Sequence, residues 1–214
     1  MKLLLSFGTL FIALSFCNLS ERLKQIQSSP SNSAASNSAA RSTKAPAGDA
    51  AGEAPDLSAA QQAIAASAVD VNWQQQGITW KLPASWKKMD VKKETFNYQS
   101  PDNAFLLVNI SMMGDDFPMD SSRTAFYDQA MQQLKQGKYE KVRYLDIDGV
   151  KGVEWTEAPP EEKDGPRRHQ WIGYRNYLGQ NQMLNVMLST RGDNFEKHRD
   201  DFAAIMYSTK IPKG

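Results

Sequence analysis

The sequence predicts an α+β protein: an antiparallel sheet of about six to seven strands flanked by two main helices. Three observations carry that prediction. Apolar residues alternate in short segments between Ile78 and Thr190, and repeat at helical spacing in two others, near 120–136 and 194–207. Turn sequences join neighbouring alternating segments closely enough for hairpins, Asp148-Gly149 being the strongest. The expected order is β-β-β-α-β-β-β-β-α.

The chain opens with Lys2 and an apolar run, Leu3 to Phe16, the pattern of an export signal. Crossing a bilayer takes roughly twenty apolar residues, more than this run supplies. Cys17 is the single cysteine, so no intramolecular disulfide is open to it. Leu14-Ser15-Phe16-Cys17 resembles the lipobox of bacterial lipoproteins, with Phe16 where that family has a small residue. The resemblance implies lipid attachment at Cys17. The alternatives are cleavage after Ser15, giving a soluble secreted protein, and retention as an uncleaved inner-membrane anchor. Residues 1–17 therefore read as an export segment, and the expected location is the cell envelope or periplasm.

Residues 18–70 read as a low-complexity linker. The stretch SSPSNSAASNSAARSTKAPA has too little apolar surface to offset the entropy of ordering it. Such a tether of about forty residues spans roughly 35 Å on average. Within it, residues 57–68 fit a short Ala-rich helix capped by Asp56.

Residues 71–214 read as the globular domain, and all five tryptophans lie there. A domain of that size buries about two thirds of its unfolded surface. Ile78, Trp80 and Leu82 alternate up to Pro83. Phe96 and Tyr98 alternate before the turn Ser100-Pro101-Asp102-Asn103. Ala104 to Met113 is apolar on both faces, which predicts partial cover on both. A helix follows, with Asp120 or Ser121 as cap, Phe126, Tyr127, Ala130, Met131 and Leu134 as its stripe, and Gly137 as its stop. Tyr139–Ile147 and Val150–Glu157 form a hairpin. After the acidic, Pro-rich loop from Ala158 to Pro166, Arg167–Tyr177 pairs with Gln182–Thr190 across a turn near Gly179. Alternation puts Val153, Trp155, Trp171, Val186 and Leu188 on one face, and Ile172, Tyr174, Met183 and Met187 on the other. The last helix, about Asn194 to Tyr207, turns Phe195, His198, Phe202, Ile205 and Met206 inward.

The opening ITWKLPASWKK, the pair FNYQSPDNAFLLVNIS, the hairpin YLDIDGVKGVEW and the closing strand and helix resemble the PsbP-like (PsbP/DcrB-type) sandwich superfamily, in its bacterial envelope lipoprotein branch. The resemblance spans Ile78 to Ile211. Asn103 stands where that turn often has glycine. The resemblance implies an α/β/α sandwich and non-enzymatic work: docking to a larger assembly, or binding a ligand.

Function classes narrow by chemistry. The formal net charge is +1, and the residues from Asn72 onward carry 20 Lys/Arg against 19 Asp/Glu. That balance gives no basic excess for nucleic acid. His198 lies on an apolar stripe and reads as a packed core or boundary residue; His169 reads as a solvated rim residue. Neither has the spacing of a metal site, and no cofactor is expected. Asp146-Ile147-Asp148-Gly149 begins like a calcium loop, but flanking strands make it a hairpin turn. Asp115-Asp116 and Asp200-Asp201 read as solvated surface. No nucleophile elbow or phosphate loop appears, so a catalytic role is not expected. Trp73 and Trp86 sit among polar neighbours and are candidates for exposed contact surface. Lys87, Lys88, Lys92 and Lys93 read as flanks of a strand connection; with Arg167 and Arg168 they would form a patch for an acidic partner. The expectation is a monomeric module, membrane-tethered through its N-terminus, that binds an envelope protein or complex. The alternative is a periplasmic carrier or sensor of a small hydrophobic ligand, which would need an apolar cavity of roughly 300 Å³ or more.

Overall fold

Nine strands and three helices make up the ordered body, in a computed structural model that describes residues 52–212. Residues 1–51, which hold the expected export segment with Cys17 and the first part of the expected linker, lie outside the described residues. The elements are α1 (Ala59–Ser67), β1 (Val69–Trp73), β2 (Ile78–Leu82), β3 (Lys87–Val91), β4 (Thr95–Gln99), β5 (Phe105–Met112), α2 (Met119–Lys135), β6 (Tyr139–Ile147), β7 (Val150–Glu157), β8 (Pro166–Tyr177), β9 (Gln180–Arg191) and α3 (Gly192–Tyr207). Seven strands form one antiparallel sheet in the order β3-β4-β5-β9-β8-β7-β6, and β1 pairs with β2 as a separate hairpin. The fold is α+β, with helices on both sheet faces.

Local chemistry fixes the hairpins. Asp148 and Gly149 take φ of 53° and 90°, the left-handed pair that a tight two-residue turn demands. The Asp146 carboxylate accepts the Gly149 N–H at 2.7 Å. Asn103, at φ 64°, fills a turn position that asparagine tolerates better than most residues.

The main core lies between the sheet and α3, with the β1–β2 hairpin packed into it. Trp80 stacks on Phe96 with centroids 4.5 Å apart, and Trp73 leans on both. The Trp171 indole lies over Gly152 and Gly173, where an added Cβ would meet it at 2.4 and 2.2 Å, and donates to the Leu145 carbonyl at 3.1 Å. Only glycine leaves room for that ring against the backbone. The stripe of α3 expected to face inward, His198 included, is buried.

Four features differ from the sequence expectation. First, the body begins before residue 71. Glu53 donates its N–H to Tyr144 O at 3.1 Å and accepts from Asp146 N–H at 2.9 Å, so it extends the sheet past edge strand β6. Ser58, not Asp56, caps α1, through a reciprocal bond with Gln61. Second, β1 and β3 were not expected. β3 is read as a connection because its lysines break the apolar alternation. Third, α2 begins after Pro118 with no side-chain cap, so neither Asp120 nor Ser121 plays that part. Fourth, Val153 pairs with Ile172 and Trp155 with Gln170, so Val153 and Trp155 face α2, away from Trp171. Side chains alternate by residue, so a one-residue error in assigned register exchanges the faces. The main core instead receives Gly152, Glu154 and Thr156 from β7.

Candidate functional site

The residues proposed from sequence as a partner surface do not come together. Trp73 is fully buried and donates its indole N–H to Lys92 O at 2.7 Å. Trp86 is also buried in the main core. Their polar neighbours in sequence point the other way along each strand or turn. Arg167 is 2% exposed: its Nη1 meets Glu196 at 2.7 Å, its Nη2 meets Glu140 at 2.6 Å, and its guanidinium stacks on Phe195 at 4.2 Å. Arg168 projects from the opposite face and pairs with Glu157 at 2.8 Å. Lys87 and Lys88 are exposed on edge strand β3, which is short and carries a bulge between Lys88 and Asp90. Lysines and a bulge on an open edge deter further strand pairing. The register places Lys87 and Arg168 on one row of the sheet with three strands between them, about 19 Å apart at about 4.8 Å per strand. That spacing separates the basic residues into two places.

A different surface stands out on the α2 side. α2 packs chiefly over β6, β7 and β8. Of its apolar stripe, Ala130 alone is buried, and Phe126, Tyr127, Met131 and Leu134 stay half-exposed. The other half of that sheet face has no cover among the described residues. Phe105, Leu107 and Met187 lie there half-exposed, and the register sets Leu107 opposite Met187. Two hollows that share residues of α2 form a trough along that helix. One, of about 380 Å³, is lined by Met113, Phe117, Ala125, Phe126, Tyr174 and Met183. The other, of about 210 Å³, is lined by Ala130, Tyr139, Trp155 and Ile172. Phe126 and Gln129 belong to both. Trp155 Nε1 is enclosed beside the second hollow without a hydrogen-bond acceptor.

A polar cluster lies on the α3 side. Glu154 is fully buried. Its Oε1 accepts from His169 Nε2 at 2.6 Å and from the Tyr207 hydroxyl. Its Oε2 accepts from Arg143 Nε at 2.5 Å and faces Lys141 Nζ at 3.3 Å. Burial alone would raise the Glu154 carboxyl, but His169 and Lys141 beside it hold it well below the usual carboxylate range. Tyr207 is pushed up by burial and by the Glu154 charge. His169 is thus a buried partner of Glu154 and not a rim residue. The sequence signal that could have found this cluster is weak: Glu154 alternates with Gly152 and Thr156 along a strand whose Val153 and Trp155 read as core. His198 matches its expected role, with Nε2 at 3.0 Å from Asp102 and Nδ1 at 3.2 Å from Asp201. Among the described residues no group of three or more His, Cys, Asp or Glu could hold a metal. No helix among them is long and apolar enough to cross a membrane.

No family model and no curated protein matches the chain. Comparison with solved structures does find matches. Cyanobacterial PsbP (CyanoP) from Synechocystis sp. PCC 6803 aligns over 69% of this chain and 94% of its own, at 17% identity and a TM-score of 0.44. LpqN, involved in cell envelope biogenesis of Mycobacterium tuberculosis, aligns over 67% of this chain and 90% of its own, at 15% identity and a TM-score of 0.47. A Bacteroides thetaiotaomicron protein aligns over 64% of this chain at 13% identity and a TM-score of 0.39; the alignment spans 45% of its length.

Proposed function

We propose that the chain is a non-catalytic, exported module, tethered to a membrane through its N-terminal segment, that binds another envelope protein through the trough beside α2. One observation carries the reading. α2 leaves part of its sheet face uncovered, and two apolar hollows that share Phe126 and Gln129 lie along it. Along α2 from Ser122 to Ala130 the trough runs about 12 Å at about 1.5 Å per residue. Two hollows along that length suit successive apolar side chains of one protein segment. Aromatic-walled hollows of this kind are where binding energy concentrates at interfaces.

The size of the larger hollow favours a second reading, the carrier of a small hydrophobic ligand. At about 380 Å³ it meets the volume expected of a ligand site. It lies open along the surface, though, whereas a ligand site buries most of its occupant.

The test is a photo-crosslinking residue at Ala125, with Lys151 on the distant β6–β7 hairpin as control, in the native envelope. One defined protein adduct at position 125 and none at 151 is the expected result. Equal labelling at both positions overturns the trough reading. A small hydrophobic molecule retained by the purified chain, with no protein adduct, moves the assignment to the carrier. Tethering has its own measurement: the mass of the mature N-terminus, where an acylated Cys17 is expected and an unmodified start at Phe16 would refute lipidation.

A further inference from the structure

Above Glu154 lies a cavity of about 380 Å³ that the trough does not involve. Ser58 and Gln61 of the α1 N-terminal turn roof it, Lys141 and Tyr207 wall it, and Thr156 and His169 form its floor. Thr156 and His169 are each 5% exposed and stand directly opposite one another on β7 and β8. His169 spends Nε2 on Glu154, and among the described residues neither its Nδ1 nor the Thr156 hydroxyl has a hydrogen-bond partner. Both residues line the cavity. The enclosed unpaired side-chain atoms of the described residues are Trp80 Nε1, Arg123 Nε, Trp155 Nε1 and Arg175 Nη1. Two unmatched polar groups on nearly buried side chains thus open into a space large enough for a ligand.

The charges around the cavity select the ligand. Every cation there already has a carboxylate. Arg143 meets Glu53 at 3.0 Å as well as Glu154. Arg199 meets Glu140 at 2.6 Å and Glu196 at 2.7 Å, and these same two acids hold Arg167. Lys141 shares Glu154. An incoming anion would have to displace one of these carboxylates and would face the exposed Asp56 that also lines the cavity, and an incoming cation, though drawn by Asp56, would meet Lys141 and Arg143. A neutral hydroxyl meets neither obstacle. It donates to the Nδ1 lone pair or accepts from Nδ1–H, whichever protonation state His169 takes, and it accepts from the threonine hydroxyl. We propose that this cavity binds a small neutral polyol, held by His169 Nδ1 and Thr156 beneath the α1 turn.

The imidazole nitrogens of ¹⁵N-histidine in the purified full chain report this directly. Titration with myo-inositol is expected to move the Nδ1 resonance of His169 saturably and leave His198 still. Gln61→Trp, which fills the roof, and Thr156→Val, which removes one partner and keeps the shape, are each expected to abolish or weaken the response at least tenfold; either variant suffices if the other does not fold. A silent Nδ1 with both inositol and glycerol overturns the proposal. So does a response to inorganic phosphate but not inositol, or an inositol response unchanged in the folded variants.

Discussion

The two faces of the sheet are built from similar residues and packed to different degrees. On the α3 side Trp73, Trp80, Phe96, Trp171, Phe195 and Phe202 are enclosed almost completely. On the α2 side Trp155, Ile172 and Tyr174 form a small buried cluster, and Phe117, Phe126, Tyr127 and Met183 around it stay half-exposed. The difference teaches a division of labour. Stability comes from the closed face, where burying a large side chain contributes about 1.5–3 kcal/mol. The open face keeps apolar surface in contact with solvent, which gives it binding free energy to release when that surface is covered.

Truncation gives the largest expected contrast. Trp171→Ala removes the ring lying over Gly152 and Gly173 and is expected to cost about 3–5 kcal/mol in denaturant unfolding. A loss below about 1.5 kcal/mol would remove the closed face from its stabilising role. Next comes Arg167→Met, which removes a buried guanidinium from Phe195 and leaves Glu140 and Glu196 to Arg199 alone; the expected cost is about 1.5–3 kcal/mol, while its neighbour Arg168→Met stays within about 0.5 kcal/mol. Equal effects at the two positions would mean that opposite strand faces do not separate them.

Acid should act on the closed side first. Bonds from Arg199 and Arg167 bring Glu196 down to about 2 from an ordinary 4.5, and Glu154 is lowered too. A carboxyl with a depressed folded pKa binds its proton more readily in the unfolded chain. Its stabilisation is therefore whole above about pH 4.5 and declines as pH falls toward about 2. Thermal unfolding between those limits should show a falling midpoint, with a shallower fall in Glu154→Gln. An unchanged slope in that variant would exclude Glu154 as a source of acid sensitivity.

The smallest effect on stability is expected for Phe126→Ala, about 1.5 kcal/mol or less because the ring is half-exposed. The same variant is expected to abolish the crosslink at position 125. Loss of stability as large as that of Trp171→Ala, with the crosslink intact, would reverse the assignment of the two faces.

The fold was largely legible. Seven of the nine strands and both long helices follow from spacing alone, since alternation and helical period are properties of neighbouring residues. The candidate site was much less so. Trp73 and Trp86 have polar sequence neighbours, yet both are enclosed, because burial depends on what packs from elsewhere in the chain. Arg167 and Arg168 are adjacent in sequence and on opposite faces in space. β3 escaped because its lysines belong to an open edge, where charge replaces alternation.

By itself the sequence determined the type of most elements and the tight turn at Asp148-Gly149. Each depends on a few consecutive residues and on local backbone or transfer free energies. Only the tertiary structure decided that β7 turns Glu154 toward the main core, and that α2 packs chiefly over β6, β7 and β8. A buried charge is tolerated only where Arg143, Lys141, His169 and Tyr207 arrive from three other elements to meet it. No window of sequence contains that convergence.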